Sequence, residues 1–287
     1  MNKDELEVPR DGVKGNRKVT VDMREIIGSH NILFLCLDTL RYDVAKEAEE
    51  KNLIPNINKY GKWEKRHAPG NFTYPSHHAM FSGFFPSPAE PTAIFDREHL
   101  FFPKKIGVSN IVPETSFAFE GSTIMEGLGK IGYTSYCIGG VAFFDKRSDI
   151  GRVLPSLFEK SYWRPSFGCN IKESFENQIE QIKKLMDKEE KKVFMYVNID
   201  SIHYPNYFYL NENFKTDNLE SHMEALKYVD SKIENILNIF REKGDTLVIL
   251  CSDHGTCYGE EGYHFHCLSH EIVYTVPYKH FVLKGNR

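Results

Sequence analysis

The chain has 287 residues, 41% hydrophobic and 26% charged, with a formal net charge of −4. That is enough for one large α/β domain with a sizeable core, and it excludes the broad basic footprint of a nucleic-acid-binding protein. No apolar run reaches the ~20 residues of a membrane-spanning helix, and the charged opening MNKDELEVPRDGVKGNRK lacks the apolar core of a signal peptide.

Residues 1–25 read as a flexible N-terminal arm, and 26–287 as a single domain. The run NILFLCLD at 31–38 reads as a buried parallel strand ending in an acid. A polar turn follows, then short helices at 43–51 and 53–60, the second opening at Pro55. Residues 67–86 hold a loop and a helix starting near Pro75, which fits a first-turn proline. The loop-rich, aromatic stretch 87–120 reads as a cap-like insertion, a lid or substrate wall. A helix is expected at 122–130 and a strand at 133–138. Residues 141–170 read as irregular, a second cap-like insertion. Its Lys146, Arg147 and Arg152 are candidate anion binders, although solvated surface charge is the stronger reading. Helical spacing of apolar residues marks 172–190 and 219–242, and strands are expected at 193–200 (VFMYVNID), 246–252 and within 271–283. Alternating strands and helices predict an α/β fold, a mainly parallel central sheet with helices on both faces. Without CxxC spacing or a secretory signal, the six cysteines are expected reduced and the location cytoplasmic.

Three of the apolar runs end in an acid: Asp38, Asp200 and Asp253. Ligands of open α/β sheets bind outside the carboxyl ends of the strands, so these acids share one rim. Carboxylates crowded there repel unless a cation lies between them. His254 follows Asp253 and His203 lies three residues after Asp200, so the set points to a metal site, and to a metal pair. Thr73 is the candidate nucleophile; alone it reads as a helix N-cap, and its hydroxyl needs a metal or a base to react. Free N–H groups at the helix start beside it would stabilise a phosphoryl group. The tail YHFHCLSH offers His264, His266 and His270, and in an extended segment His264 and His266 point the same way. Cys257 and Cys267 flank it, with thiolate ligation of a structural zinc the minor alternative. His77 or His78 would face the site and bind substrate, or lie on the helix surface. Arg41 would pair with a carboxylate or orient the Thr73 loop.

Taken together, DTLRYD at 38–43, IPNINKYGK at 54–62, FTYPSHHAMFSGFFP at 72–86, LGKIGYTSYCIGG at 128–140, ALKYVDSKIENIL at 225–237 and CSDHGTCYGEEG at 251–262 resemble the alkaline phosphatase superfamily, in its sulfatase-like branch. The resemblance implies an alkaline-phosphatase-like α/β/α sandwich and two divalent metals, zinc or manganese. One would be held by Asp38, Thr73, Asp253 and His254, the other by Asp200, His203 and His266. His266 is preferred to His264 because its distance from His254 resembles that in phosphoethanolamine transferases. His77, Arg41 and His264 are the candidate substrate-binding residues.

The departures are informative. Sulfatases carry cysteine or serine followed by x-Pro-x-Arg, for conversion to formylglycine; here the segment is Thr73-Tyr74-Pro75-Ser76-His77. Threonine cannot undergo that conversion, and the lysine usual after the glycine near 140 is replaced by Val141. Thr39 stands where many sulfatases have a second aspartate, and the Asp200–His203 spacing is one residue shorter than in the phosphodiesterase branch. The implied activity is therefore metal-dependent hydrolysis of a small-molecule phosphoester, as a phosphodiesterase or phosphatase. A phosphotransferase acting on an alcohol acceptor and a metal-binding protein without turnover are the alternatives.

Overall fold

A computed structural model describes residues 21–83, 99–101, 116–118, 123–211, 213 and 215–286. Residues 1–20 of the expected arm, and most of the insertion at 87–120, lie outside these residues. The strands are β1 (Asn31–Leu37), β2 (Glu64–His67), β3 (His99–Phe101), β4 (Ser116–Ala118), β5 (Thr134–Ile138), β6 (Lys160–Tyr162), β7 (Val193–Ile199), β8 (Thr246–Cys251), β9 (Cys257–Tyr258), β10 (His264–Phe265) and β11 (Thr275–Leu283). The helices are α1 (Met23–Ile26), α2 (Tyr42–Glu50), α3 (Pro55–Asn58), α4 (Thr73–Ser82), α5 (Ile124–Gly129), α6 (Asp149–Ser156), α7 (Ser174–Met186), α8 (Tyr207–Leu210), α9 (Leu219–Lys243) and α10 (Glu271–Tyr274).

Seven strands form the central sheet in the order β2-β11-β8-β1-β7-β5-β6. The pairs β8–β1–β7–β5–β6 are parallel, and β11 runs antiparallel to both its neighbours. The near-continuous apolar runs follow from burial on both faces. Along β1 and β7, Leu33, Leu35, Leu37, Val193, Met195, Val197 and Ile199 enter a core shared with α2, α3, α7 and α9. The alternate residues Ile32, Cys36, Phe194 and Tyr196 enter a second core with α4, α5 and α6. Period-two alternation thus splits each strand between two helical layers.

Helix ends sit where the local chemistry stops or starts them. Thr123 and Glu126 close a capping box at the start of α5, and Asn218 and Ser221 do the same for α9. Gly83, at φ +80°, ends α4 in the left-handed conformation that glycine adopts freely. The two helical motifs of the sequence meet directly: Asp230 of α9 accepts the Ile57 N–H at 2.7 Å and caps α3.

Two differences from the sequence reading stand out. The stretch 141–170, read as irregular, contains α6 and the edge strand β6. Helix α6 carries Pro155 inside it and β6 is only three residues long, so neither leaves a strong periodic signal. Strand β2 is exposed at all four positions, so no alternation betrays it; it exists because β11 offers a free edge.

Candidate metal centre

Strand register builds the centre. Leu37 pairs with Ile199 and Cys36 with Cys251, so just beyond the strand ends Asp38 lies in register between Asp200, which follows β7, and Asp253, two residues past β8. Neighbouring strands are ~4.8 Å apart, which forces three carboxylates together. Asp38, Asp200, Asp253 and His254 are 0% exposed, and Thr73 is 2% exposed.

Thr73 is the first residue of α4, and the N-cap is Phe72, whose side chain makes no capping bond. The threonine hydroxyl instead lies 3.5 Å from Asp38 Oδ2 and 3.4 Å from His254 Nε2. Ser76 of the same helix donates to the Asp253 carbonyl at 2.8 Å, tying α4 to the end of β8.

The histidines are oriented as ligands are. His254 Nδ1 lies 2.9 Å from the Gly255 carbonyl, which fixes the proton there and turns Nε2 toward Asp38 Oδ1 (3.7 Å) and Asp253 Oδ2 (3.5 Å). His203 Nδ1 likewise meets the Tyr204 carbonyl at 2.6 Å, leaving Nε2 as the lone-pair nitrogen. The His266 ring is 4.5 Å from that of His254 and 5.5 Å from that of His203.

The electrostatics call for a cation. Burial pushes Asp38 and Asp253 up to about 7, with Asp253 adding repulsion at Asp38. Burial also drives Asp200 well above the carboxylate range. The same desolvation lowers His203 to about 4 and His266 to about 3. Asp38 Oδ1, Asp253 Oδ2, both Asp200 oxygens and His266 Nδ1 are buried without a hydrogen-bond partner among the described residues. Asp38, Asp253 and His254 each bring a ligand atom within 4.8 Å of the others. The buried carboxylates and imidazole of Asp38, Asp253 and His254 are a donor set that fits zinc or manganese, whereas Asp200, His203 and His266 are not drawn to ligand spacing of one another among the described residues.

Other candidate residues fall elsewhere. His264 is exposed on β10, over Gly259 and away from the cluster. The segment is not extended: Phe265 has φ +66° and Cys267 φ +70°, so His264 and His266 do not share a face. His77 is fully buried with both nitrogens engaged, Nδ1 with the Thr73 carbonyl at 2.6 Å and Nε2 with the Tyr196 hydroxyl. It therefore braces the first turn of α4 from the protein interior. His78 is buried too, not on the helix surface. Arg41 is 2% exposed and paired with Asp43 and Glu260, so its charge is already neutralised. Arg147 and Arg152 pair with Asp145 and Asp149, and Lys146 donates to Ser161. His270 caps α10 and lies 3.8 Å from Glu261. All six cysteines are free; burial raises the thiol pKa of both Cys257 and Cys267.

Several residues escaped the sequence reading. Asn198 donates to Asp38 Oδ2 at 2.9 Å and accepts the Val141 N–H at 2.9 Å. Gly140 makes room for it: a Cβ there would stand 2.5 Å from the Asn198 carbonyl and 3.0 Å from Asp200 Cβ. The fully buried His222 of α9 accepts the Arg41 N–H at 3.3 Å and meets the Tyr258 hydroxyl at 2.8 Å. Asn206 donates to the same hydroxyl at 3.0 Å and to the Ile202 carbonyl at 2.8 Å. The turns after β1, β7 and β8 are thus fastened together through α9. The only signal in the sequence is that Asn198 lies two residues before Asp200, on the same side of β7.

The Sulfatase family profile matches residues 30–279. The chain belongs to the sulfatase family. Among solved structures with a similar fold is a protein described as belonging to the alkaline phosphatase superfamily, from Vibrio parahaemolyticus, 18% identical, with a TM-score of 0.52 over 90% of this chain and 61% of that one. The C-terminal periplasmic domain of phosphoethanolamine transferase EptC from Campylobacter jejuni is 17% identical, with a TM-score of 0.57 over 88% of this chain and 80% of that one. The soluble domain of lipooligosaccharide phosphoethanolamine transferase A from Neisseria meningitidis is 15% identical, with a TM-score of 0.56 over 89% and 77%. The periplasmic domain of EptC from Escherichia coli, solved in complex with zinc, is 12% identical, with a TM-score of 0.56 over 90% and 74%. At these identities the likeness is one of fold. No curated protein matches the sequence. No described helix is long and apolar enough to cross a membrane. The expectation of a cytoplasmic location gains no support from these neighbours, two of which are described as periplasmic domains.

Proposed function

We propose that this sulfatase-family protein is a metal-dependent enzyme that takes the phosphoryl group of a small-molecule phosphoester onto Thr73 and passes it to water. The observation that carries the reading is the Thr73 hydroxyl, set at the start of α4 and within 3.4–3.5 Å of His254 Nε2 and Asp38 Oδ2. Two divalent cations, zinc or manganese, held by Asp38, Thr73, Asp253 and His254 and by Asp200, His203 and His266, would supply the positive charge that favours the threonine alkoxide and the phosphoryl oxygens. The chain's own part is positional. Asp38 Oδ2 accepts the Thr73 hydroxyl hydrogen bond, Asn198 holds that carboxylate, and the amino end of α4 presents N–H groups to an anion. Thr73 Oγ1 bonds to phosphorus as the ester oxygen leaves with its alcohol, and water then displaces threonine.

Transfer to an alcohol acceptor is the second reading. It is favoured by the fold neighbours, which include two phosphoethanolamine transferases. The deciding experiment is metal content by elemental analysis on protein purified without chelator, with turnover of p-nitrophenyl phosphate and bis-p-nitrophenyl phosphate. About two metals per chain with ester turnover in water alone supports hydrolysis. Turnover that requires an added alcohol supports transfer. Metal bound with no turnover under either condition overturns both.

A further inference from the structure

The core of the metal centre is closed on most sides. Asp38, Thr73, Asp200, Asp253 and His254 are at most 2% exposed, whereas His203 and His266 are partly exposed. Each of these two histidines is flanked by an aromatic residue on the solvent side. Tyr204 follows His203 and is 41% exposed; Phe265 precedes His266 and is 56% exposed. Their ring centroids are 5.3 Å apart, with planes at 57°. Tyr204 also stacks on His203 at 4.3 Å and lies 5.7 Å from His266. The two rings therefore border the partly open side of the cluster.

The backbone adds a second observation. Phe265 holds φ +66°, a conformation that is costly for a residue with a Cβ and free for glycine. Outliers of this kind collect where a side chain must be aimed. Here the strain presents a large apolar ring to water beside a ligand histidine.

We propose that Tyr204 and Phe265 form a subsite for the alcohol part of the phosphoester, selecting aromatic or broad apolar alcohols over small ones. The proposal rests on the phosphoester reading above. With phosphorus at Thr73, an alcohol group directed outward past His203 and His266 meets these two rings. Offset or edge-on contact with them favours a flat apolar group by roughly tenfold in affinity.

The test uses non-reacting ligands, so that leaving-group chemistry plays no part. Calorimetric titration of the full, zinc-loaded chain compares phenylphosphonate with methylphosphonate. Wild type is expected to bind the phenyl compound about tenfold more tightly. Phe265→Gly, which relaxes the backbone while removing the ring, and Tyr204→Ala should each bring the two affinities to within about twofold of one another, the ratio and not either absolute affinity being the readout. Equal affinities in wild type, or an unchanged ratio in both variants, overturns the subsite alone. Binding of neither phosphonate by metal-loaded wild type overturns the phosphoester reading and the subsite with it.

Discussion

Thr73 makes only long polar contacts, at 3.4 and 3.5 Å, so its hydroxyl contributes little to folding. Thr73→Ala should leave the melting temperature nearly unchanged while turnover falls by roughly three orders of magnitude or more; an active variant would exclude the covalent route. Asn198 is the opposite case. It satisfies Asp38 Oδ2 and the Val141 N–H in a fully buried position, so Asn198→Ala strands the Val141 N–H and leaves Asp38 Oδ2 with only the long Thr73 contact. A loss of about 2–4 kcal/mol in denaturant unfolding is expected, because each unpaired buried group costs ~1–3 kcal/mol. A loss below ~1 kcal/mol would show that water replaces the amide. Asp38, Asp253 and His254 were legible as residues because acids at the ends of apolar runs are conspicuous. Asn198 was not, since a buried asparagine in a strand has no distinctive spacing.

Among the elements, β11 carries an inward-facing cation. Lys279 donates to the Gly61 carbonyl at 2.7 Å and the Ile57 carbonyl at 3.3 Å, and its Nζ lies 4.1 Å from the Trp63 ring centre. Burial lowers its pKa from 10.5 to about 8. Between those two values the unfolded chain binds more protons than the folded one, so the lysine's contribution to stability rises with pH. The slope approaches ~1.4 kcal/mol per pH unit in mid-window. Urea unfolding of wild type and Lys279→Met across that window should show wild type gaining relative to the variant as pH increases; a pH-independent difference would sink the argument. The elements themselves differ in legibility. The long helices α7 and α9 and strands β1, β7 and β8 match the apolar periodicity, whereas β2 and β6 exist only as edges completed by a neighbour.

For the whole molecule, the centre is where burial holds three carboxylates above their ordinary range, and a cation bound there would favour their charged forms. Three buried carboxylates with raised pKa values converge where three strands end. Metal that binds only the folded chain stabilises it by mass action, about 2.7 kcal/mol at a hundredfold excess over Kd. For a domain of this size that corresponds to a rise of roughly 5 °C in Tm. Thermal melts after chelation and after zinc add-back should show this shift and its reversal; identical melts would mean that the cluster holds no metal.

The sequence by itself determined the fold class, the order of the main elements and the acids at the rim, because apolar periodicity and strand-end polarity are local properties of the chain. Six motifs in order also sufficed for the family. Tertiary structure decided what depends on register and distant packing. It aligned Asp38 with Asp200 and Asp253, and it separated His264 from His266 through a left-handed Phe265. It withdrew His77 and Arg41 into internal pairings, and it brought Asn198, His222 and Tyr258 in to brace the site. Those outcomes turn on which strands become neighbours and which polar groups find partners once water is excluded, and no stretch of chain carries that information alone.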